Sequence, residues 1–275
     1  DGHEDRGTGF SLGGGSNLTS PDTYKSMFYG AEYIYGSLSS VGEVVVKADR
    51  TTLDYDRSEF AYLIRDRATN RVGAEFNYQI APSTELVFDF TRSFIRYDNN
   101  LLENSLESNE NRLLVGIAWE NTAATSGYAK IGYKEKEFAA SNRDNFYGTD
   151  WEVGIEWQPL AYSTVNFSTS ADTNETNGEG SLIRGRNYRL SWTHQWLERL
   201  SSSLRYTREN DEYIVDDEEF SNRDDKLNTY AAALNYKARR WLSFSLFYKL
   251  QDRDSNRETI NFEQSMVGVS AEVTL

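Results

Sequence analysis

The chain has 275 residues, no cysteine, three prolines and a formal net charge of -14, which excludes a disulfide scaffold, a thiolate nucleophile and a Cys-ligated metal centre. The acidic balance argues against a nucleic-acid partner, because displacing counterions from a phosphate backbone needs a basic footprint. An aromatic fraction of 14% beside a mean hydropathy of -0.68 sets apolar rings on an otherwise polar chain, and no run of about 18 apolar residues supplies a transmembrane helix.

The opening DGHEDRG carries no secretory signal and reads as the start of a mature or trimmed product. Residues 1–23 form an N-terminal segment holding a weak first strand at 7–18, where Phe10 and Leu12 are in phase within GTGFSLGGGSNL. Gly13-Gly14-Gly15 lacks the Lys and Ser/Thr of a phosphate-binding loop. Alternating apolar and polar residues then predict strands at 24–36, 43–55, 71–80, 85–97, 112–121, 128–138, 150–157, 163–173, 187–196, 202–213, 228–237, 242–253 and 263–275. Short connections (SSVG, APST, NTAATS, QPLAY, LERL, ARRW) alternate with long polar ones such as DNNLLENSLESNEN and ENDEYIVDDEEFSNRDD. Short periplasmic turns and long extracellular loops are the grammar of a transmembrane antiparallel up-and-down β-barrel, and closure with an even number gives about 14 strands, with 12 to 18 compatible. A soluble antiparallel sheet is the alternative, but no helix or second layer is present to cover so many strands.

Successive strand side chains point to opposite faces. One face collects Leu113, Val115, Ile117 and Trp119, then Val153, Ile155 and Trp157, Leu242, Phe244, Leu246 and Tyr248, and Val267, Val269 and Val273. Trp and Tyr at the segment ends fit the aromatic girdles of a bilayer. The other face is charged, and charges in a dry interior cost several kcal/mol each, so it must meet water. The residues predicted to line that lumen are Arg71, Glu75, Asn77, Arg112, Glu120, Lys130, Lys134, Glu152, Glu156, Arg189, Arg205, Glu209, Lys249 and Arg253. Arg92 and Arg208 fall in the lipid phase near loop ends, where snorkelling or a bulge is expected. A selective ion channel concentrates one sign of charge in a ring; this mixed wall suits a hydroxyl-rich or uncharged hydrophilic passenger.

The stretches GRNYRLSWTHQWLERLSSSLRYTRENDEY, LNTYAAALNYKARRWLSFSLFYKLQDRDSN and MVGVSAEVTL, with weaker versions at RSFIRYDNN and EFAASNRDN, resemble the outer-membrane β-barrel porins associated with exopolysaccharide biosynthesis and export. The shared features are a Tyr-rich strand, a W-L-S turn and a rising strand ending in D-R-D-S-N, and the similarity covers 71–275. The resemblance implies a passive channel in the bacterial outer membrane for a secreted polysaccharide, with lipid and lipopolysaccharide around it and periplasmic polysaccharide-export proteins as partners. It implies no cofactor. Members of that family are often longer than this chain, and its ending Val-Thr-Leu departs from the terminal aromatic common in such barrels.

A general diffusion porin and a barrel that only displays adhesive loops are the other readings. An enzyme is not expected. His194 lies beside the short turn at 197–200 among Trp192 and Trp196, and His3 lies in the terminal segment. Glu152 and Glu156 are two pleats apart on one face, a spacing that any amphipathic strand produces. No catalytic or metal-binding residue is assigned, and the acidic runs at 216–219 and 224–225 read as solvated loop charge.

Overall fold

The computed structural model describes residues 2–4, 22–36, 41–56, 65–99, 105–122, 124–176, 180–215 and 222–274. A three-residue strand, β1 (Gly2–Glu4), precedes thirteen long ones. These are β2 (Asp22–Tyr35), β3 (Gly42–Tyr55), β4 (Arg67–Ala81), β5 (Thr84–Tyr97), β6 (Ser108–Thr122), β7 (Thr125–Phe138) and β8 (Phe146–Leu160), followed by β9 (Ser163–Asn174), β10 (Leu182–Leu197), β11 (Leu200–Ile214), β12 (Arg223–Arg239), β13 (Leu242–Ser255) and β14 (Phe262–Val273). All fourteen form one antiparallel meander in chain order. Among the described residues no ladder joins β14 back to the first strands, so the sheet is open. The expected strand at 7–18 lies outside the described residues; the strand paired with the start of β2 is instead β1, with Gly2 opposite Tyr24.

Each sequence-predicted segment from 24 onward falls on one long strand, but the observed strands are longer at the long-loop end. β4, β6, β8, β10 and β12 begin at Arg67, Ser108, Phe146, Leu182 and Arg223, upstream of their predicted starts. The reason lies on the outward face. In β12 that face runs Tyr230, Asn228, Lys226 and Asp224 toward the long-loop end, so the apolar–polar alternation ends while the hydrogen-bonded ladder continues. A bilayer needs about 9–11 tilted residues per strand, and strands of 14 to 17 residues such as β5 and β12 project beyond it.

This accounts for Arg92 and Arg208. The ladders around both are in register, with Arg92 opposite Val72 and Asn111, and Arg208 opposite Tyr188 and Asn228, so no bulge is involved. Both sit in the polar zone above the apolar band. Arg208 Nε donates to Asn210 Oδ1 at 3.0 Å, the Tyr206 hydroxyl donates to Asn228 Oδ1 at 2.9 Å, and Arg50 donates to Asn70 Oδ1 at 2.9 Å. Below them the same face is bare hydrocarbon: Ile131 is 66% exposed and Val269 75%. Apolar surface of that extent in water marks an interface or an aggregation site; against lipid it is the expected contact.

At the short-turn end the outward face carries rings. His194 lies 4.2 Å from the Trp196 ring, 5.3 Å from Trp192 and 5.4 Å from Tyr162, centroid to centroid. The indoles of Trp192 and Trp196 donate to Ser163 and Ser202 hydroxyls at 2.9 Å each, so each ring keeps a polar handle at the level of an interfacial girdle. The two-residue turn between β6 and β7 holds Ala124 at φ 67°, a left-handed conformation that an alanine adopts at a cost of about 1–2 kcal/mol.

Candidate functional site: the polar face of the sheet

Residues directly opposite one another in neighbouring strands share a face, so the ladders assign every side chain. The row Asp89–Leu114–Gly132–Asp150 and the row Gly116–Lys130–Glu152–Ser170–Asn187–Glu209 run across the polar face. The sheet curls toward this face. Tyr97 on β5 and Glu175 beyond β9 are four strands apart, about 19 Å along a flat sheet, yet the Tyr97 hydroxyl donates to Glu175 Oε2 at 2.7 Å.

Strands β5 to β9 hold a continuous network of opposite charges. Arg112 donates through Nε to Asp150 at 2.9 Å and through a terminal nitrogen to Glu152 at 2.6 Å. Lys130 bridges Asp89 at 3.0 Å and Glu152 at 2.8 Å. Lys134 meets Asp172 at 2.7 Å, Asp150 at 3.2 Å and Glu110 at 3.6 Å. Lys136, fully buried, pairs with Glu175. The Thr173 hydroxyl donates to Glu110 at 2.6 Å. The network therefore draws the end of β9 and Glu175 beyond it inward, over the polar face, and pins them to β5, β6 and β7. On β7, Gly132 is required by the close approach of β6: a Cβ there would lie 1.8 Å from the Leu113 carbonyl oxygen.

Beneath that segment is a cavity of about 490 Å³, lined from β3 to β9 by Thr51, Thr69, Arg71, Thr91, Ser93, Arg112, Lys134, Glu152 and Ser170, and closed on one side by residues 171–175. Hydroxyls and charged groups dominate its wall.

All fourteen sequence-predicted lining residues fall on this face or in its phase, but their surroundings differ. Arg112, Lys130, Lys134 and Glu152 come together in the network. Arg71 stands 3.9 Å from Asp49, Glu75 stands 3.8 Å from Lys47, and the Asn77 amide donates to Glu75 at 3.1 Å. Glu156 accepts from the Gln158 amide at 2.8 Å. Glu120 is exposed at the short-turn end, past the point where the β6–β7 register shifts. Arg253 lies over the Phe262 ring at 5.3 Å. Arg189, Arg205, Glu209 and Lys249 lie on β10, β11 and β13, away from the network.

Sequence reasoning missed Asp89, Glu110, Asp150 and Lys136, which occupy the same two-residue phase and were legible by alternation. Tyr97 shares that phase on β5, but Glu175 had no such signal, because its contact with Tyr97 depends on the chain beyond β9 folding inward. Leu114, buried on the polar face, breaks the polar pattern where it packs opposite Gly132.

Glu152 is held by Arg112 and Lys130, and His194 sits among aromatic rings. Asp225 accepts from Arg223 at 2.6 Å and from the Ser255 hydroxyl at 2.6 Å, so this part of the acidic run is tied into the strand tops. Residues 216–219 lie outside the described residues.

Residues 42–275 match the family model described as "Putative beta-barrel porin 2". No curated protein matches the chain's sequence. Among solved structures, two variants of the FrpB iron transporter from Neisseria meningitidis are similar. The F3-3 variant has a TM-score of 0.56 at 10% identity, over 85% of this chain and 44% of that one. The F5-1 variant has a TM-score of 0.53 at 9% identity, over 88% and 47%. The chain thus spans a little under half the length of these relatives. The outer-membrane channel DcaP of Acinetobacter baumannii aligns over 90% of this chain and 84% of its own, at 13% identity and a TM-score of 0.49.

Proposed function

We propose, for a chain that belongs to the "Putative beta-barrel porin 2" family and is a porin-like β-barrel protein of the bacterial outer membrane, that it passes a secreted exopolysaccharide outward along its polar face. The observation that carries this reading is the hydroxyl-lined cavity of about 490 Å³ on that face, a volume in the range that holds small ligands and a wall of donors and acceptors suited to sugar hydroxyls. The charged groups of β5 to β9 brace one another in ion pairs, so that side of the wall offers hydrogen bonds rather than a field. Partners on this reading are the polysaccharide itself, the surrounding lipid and lipopolysaccharide, and periplasmic export proteins that deliver the polymer.

One observation favours a second reading. Residues 172–175 are drawn across the cavity by Lys134, Lys136 and Tyr97, and a constriction of that kind suits a diffusion porin for small hydrophilic solutes. Deleting the gene separates the two. Loss of surface polymer with unchanged uptake of small sugars is the result expected of an exporter; unchanged polymer with slowed uptake overturns that reading in favour of the porin.

A further inference from the structure

Three cations on the polar face stand apart from the braced network. Arg189 on β10, Arg205 on β11 and Lys249 on β13 belong to that face by register. None of them takes part in an ion pair or a side-chain hydrogen bond among the described residues.

Their neighbours across the ladders are uncharged. Arg189 lies opposite Ser168 and Thr207, Arg205 opposite Ser191 and Ala231, and Lys249 opposite Ala231 and Met266. Every position directly across a ladder from these cations is therefore neutral. One carboxylate, Glu209, is diagonal to Arg189 across the β10–β11 ladder, and no ion pair joins them. Arg189 and Arg205 are diagonal to each other, and Arg205 and Lys249 share Ala231 as their common neighbour. The three thus form one patch, with Arg189 and Arg205 exposed.

The contrast with β5 to β9 is chemical. There Arg112, Lys130, Lys134 and Lys136 each have a built-in carboxylate, and little of their charge is left for a passing solute. Like charges placed close together on a sheet face destabilise it, and no carboxylate among the described residues is paired with the three on β10 to β13. An anion in the lumen would compensate them. Charge lining a cleft of one sign raises the local concentration of the opposite ion.

We infer that Arg189, Arg205 and Lys249 form a recognition patch for carboxylate groups, and that the passenger is an acidic saccharide rather than a neutral one. This rests on the channel reading above and names its substrate class. It also revises the uncharged passenger that the sequence alone suggested: the mixed composition of the face holds, but the charges that remain unpaired in this patch are positive.

The test uses the full chain in a planar bilayer, with folding checked by the shift in gel mobility on heating. Polygalacturonate is the anionic probe and dextran of matched length the neutral one. The expected result is anion selectivity in a KCl gradient, with block by polygalacturonate at a concentration about tenfold below that of dextran. Raising KCl to about 1 M, where screening acts within about 3 Å, should remove that preference. A variant carrying R189Q, R205Q and K249Q should lose both selectivity and preference, while one carrying R189K and R205K should keep them. A conducting barrel that treats the two polymers alike, or a folded triple variant that behaves as the parent, overturns the acidic passenger and leaves the channel standing. A folded barrel that inserts and never conducts overturns the channel reading itself, and the inference with it.

Discussion

The Tyr97 hydroxyl and the Glu175 carboxylate, separated by 78 positions in the chain, meet at 2.7 Å and tie the top of β5 to a segment that has left β9. Glu175 also receives the buried ammonium of Lys136, so one carboxylate holds the strap at two points. Tyr97→Phe removes one hydrogen bond, worth about 1 kcal/mol. Glu175→Ala strips the counter-ion from Lys136, a loss of about 3–5 kcal/mol. Single-channel conductance should rise in both variants and more in the second. Parental conductance in a folded Glu175→Ala barrel would show that the strap does not narrow the path.

Asp150 is the hinge of the charge network. Its carboxylate, almost fully buried, takes Arg112 at 2.9 Å and Lys134 at 3.2 Å, and its removal leaves two cations partly uncompensated. Asp150→Ala should lower the stability of the folded barrel by about 3–5 kcal/mol, read as a shift in the urea midpoint for unfolding from lipid vesicles. Asp150→Asn keeps the shape and loses the charge, and should fall between the two.

The outward face makes a prediction that separates its two zones. Val115 lies in the apolar band and is 40% exposed; an arginine there should cost about 2–4 kcal/mol at the bilayer midplane. Arg208 lies on the same face but in the polar zone, bonded to Asn210, and Arg208→Leu should shift stability by well under that amount. Equal effects at the two positions would contradict the placement of the band.

Asp66, in the long-loop region before β4, accepts the Tyr55 backbone N–H at 2.7 Å. Burial, the largest influence, raises its pKa from the ordinary aspartate value, aided by Asp54 and Asp98 and opposed by the Tyr55 bond and by Arg65. A carboxyl whose folded pKa is raised stabilises the fold at pH below its unfolded value, and that contribution is lost as pH rises through the folded value. Exchange protection of the Tyr55 amide, corrected for intrinsic rate, should therefore fall on raising the pH through that window in the parent. In Asp66→Asn, which keeps the acceptor and removes the charge, it should stay level.

Much of this was legible in the chain itself, and the limits have physical causes. The thirteen long strands show in the two-residue alternation because bilayer and lumen impose opposite chemistry on the two faces of Leu113 to Trp119 or Leu242 to Tyr248. The same alternation placed Arg112, Lys130, Lys134 and Glu152 together. It failed where that contrast ends: above the band, Arg184 and Arg186 on β10 and Asp224 and Lys226 on β12 are polar on the outward face, so the starts of those two strands read as loop. It was also silent on pairing. Arg112 and Arg189 look alike in a sequence; directly opposite Arg112 stand Thr91 and Lys134, and only the folded sheet shows Asp150 and Glu152 reaching it from β8, two strands away. The inward fold of Glu175 depends on partners up to four strands away, which no local pattern encodes.

The account rests on the polar face lining a water-filled path while the apolar face meets lipid, and single-channel recording of the purified chain in a planar bilayer tests this most directly. Discrete conductance steps, reversibly reduced by added soluble polysaccharide, are the predicted result. A protein that folds and inserts, shown by its heat-shifted gel mobility and protection from protease, but passes no current would contradict it.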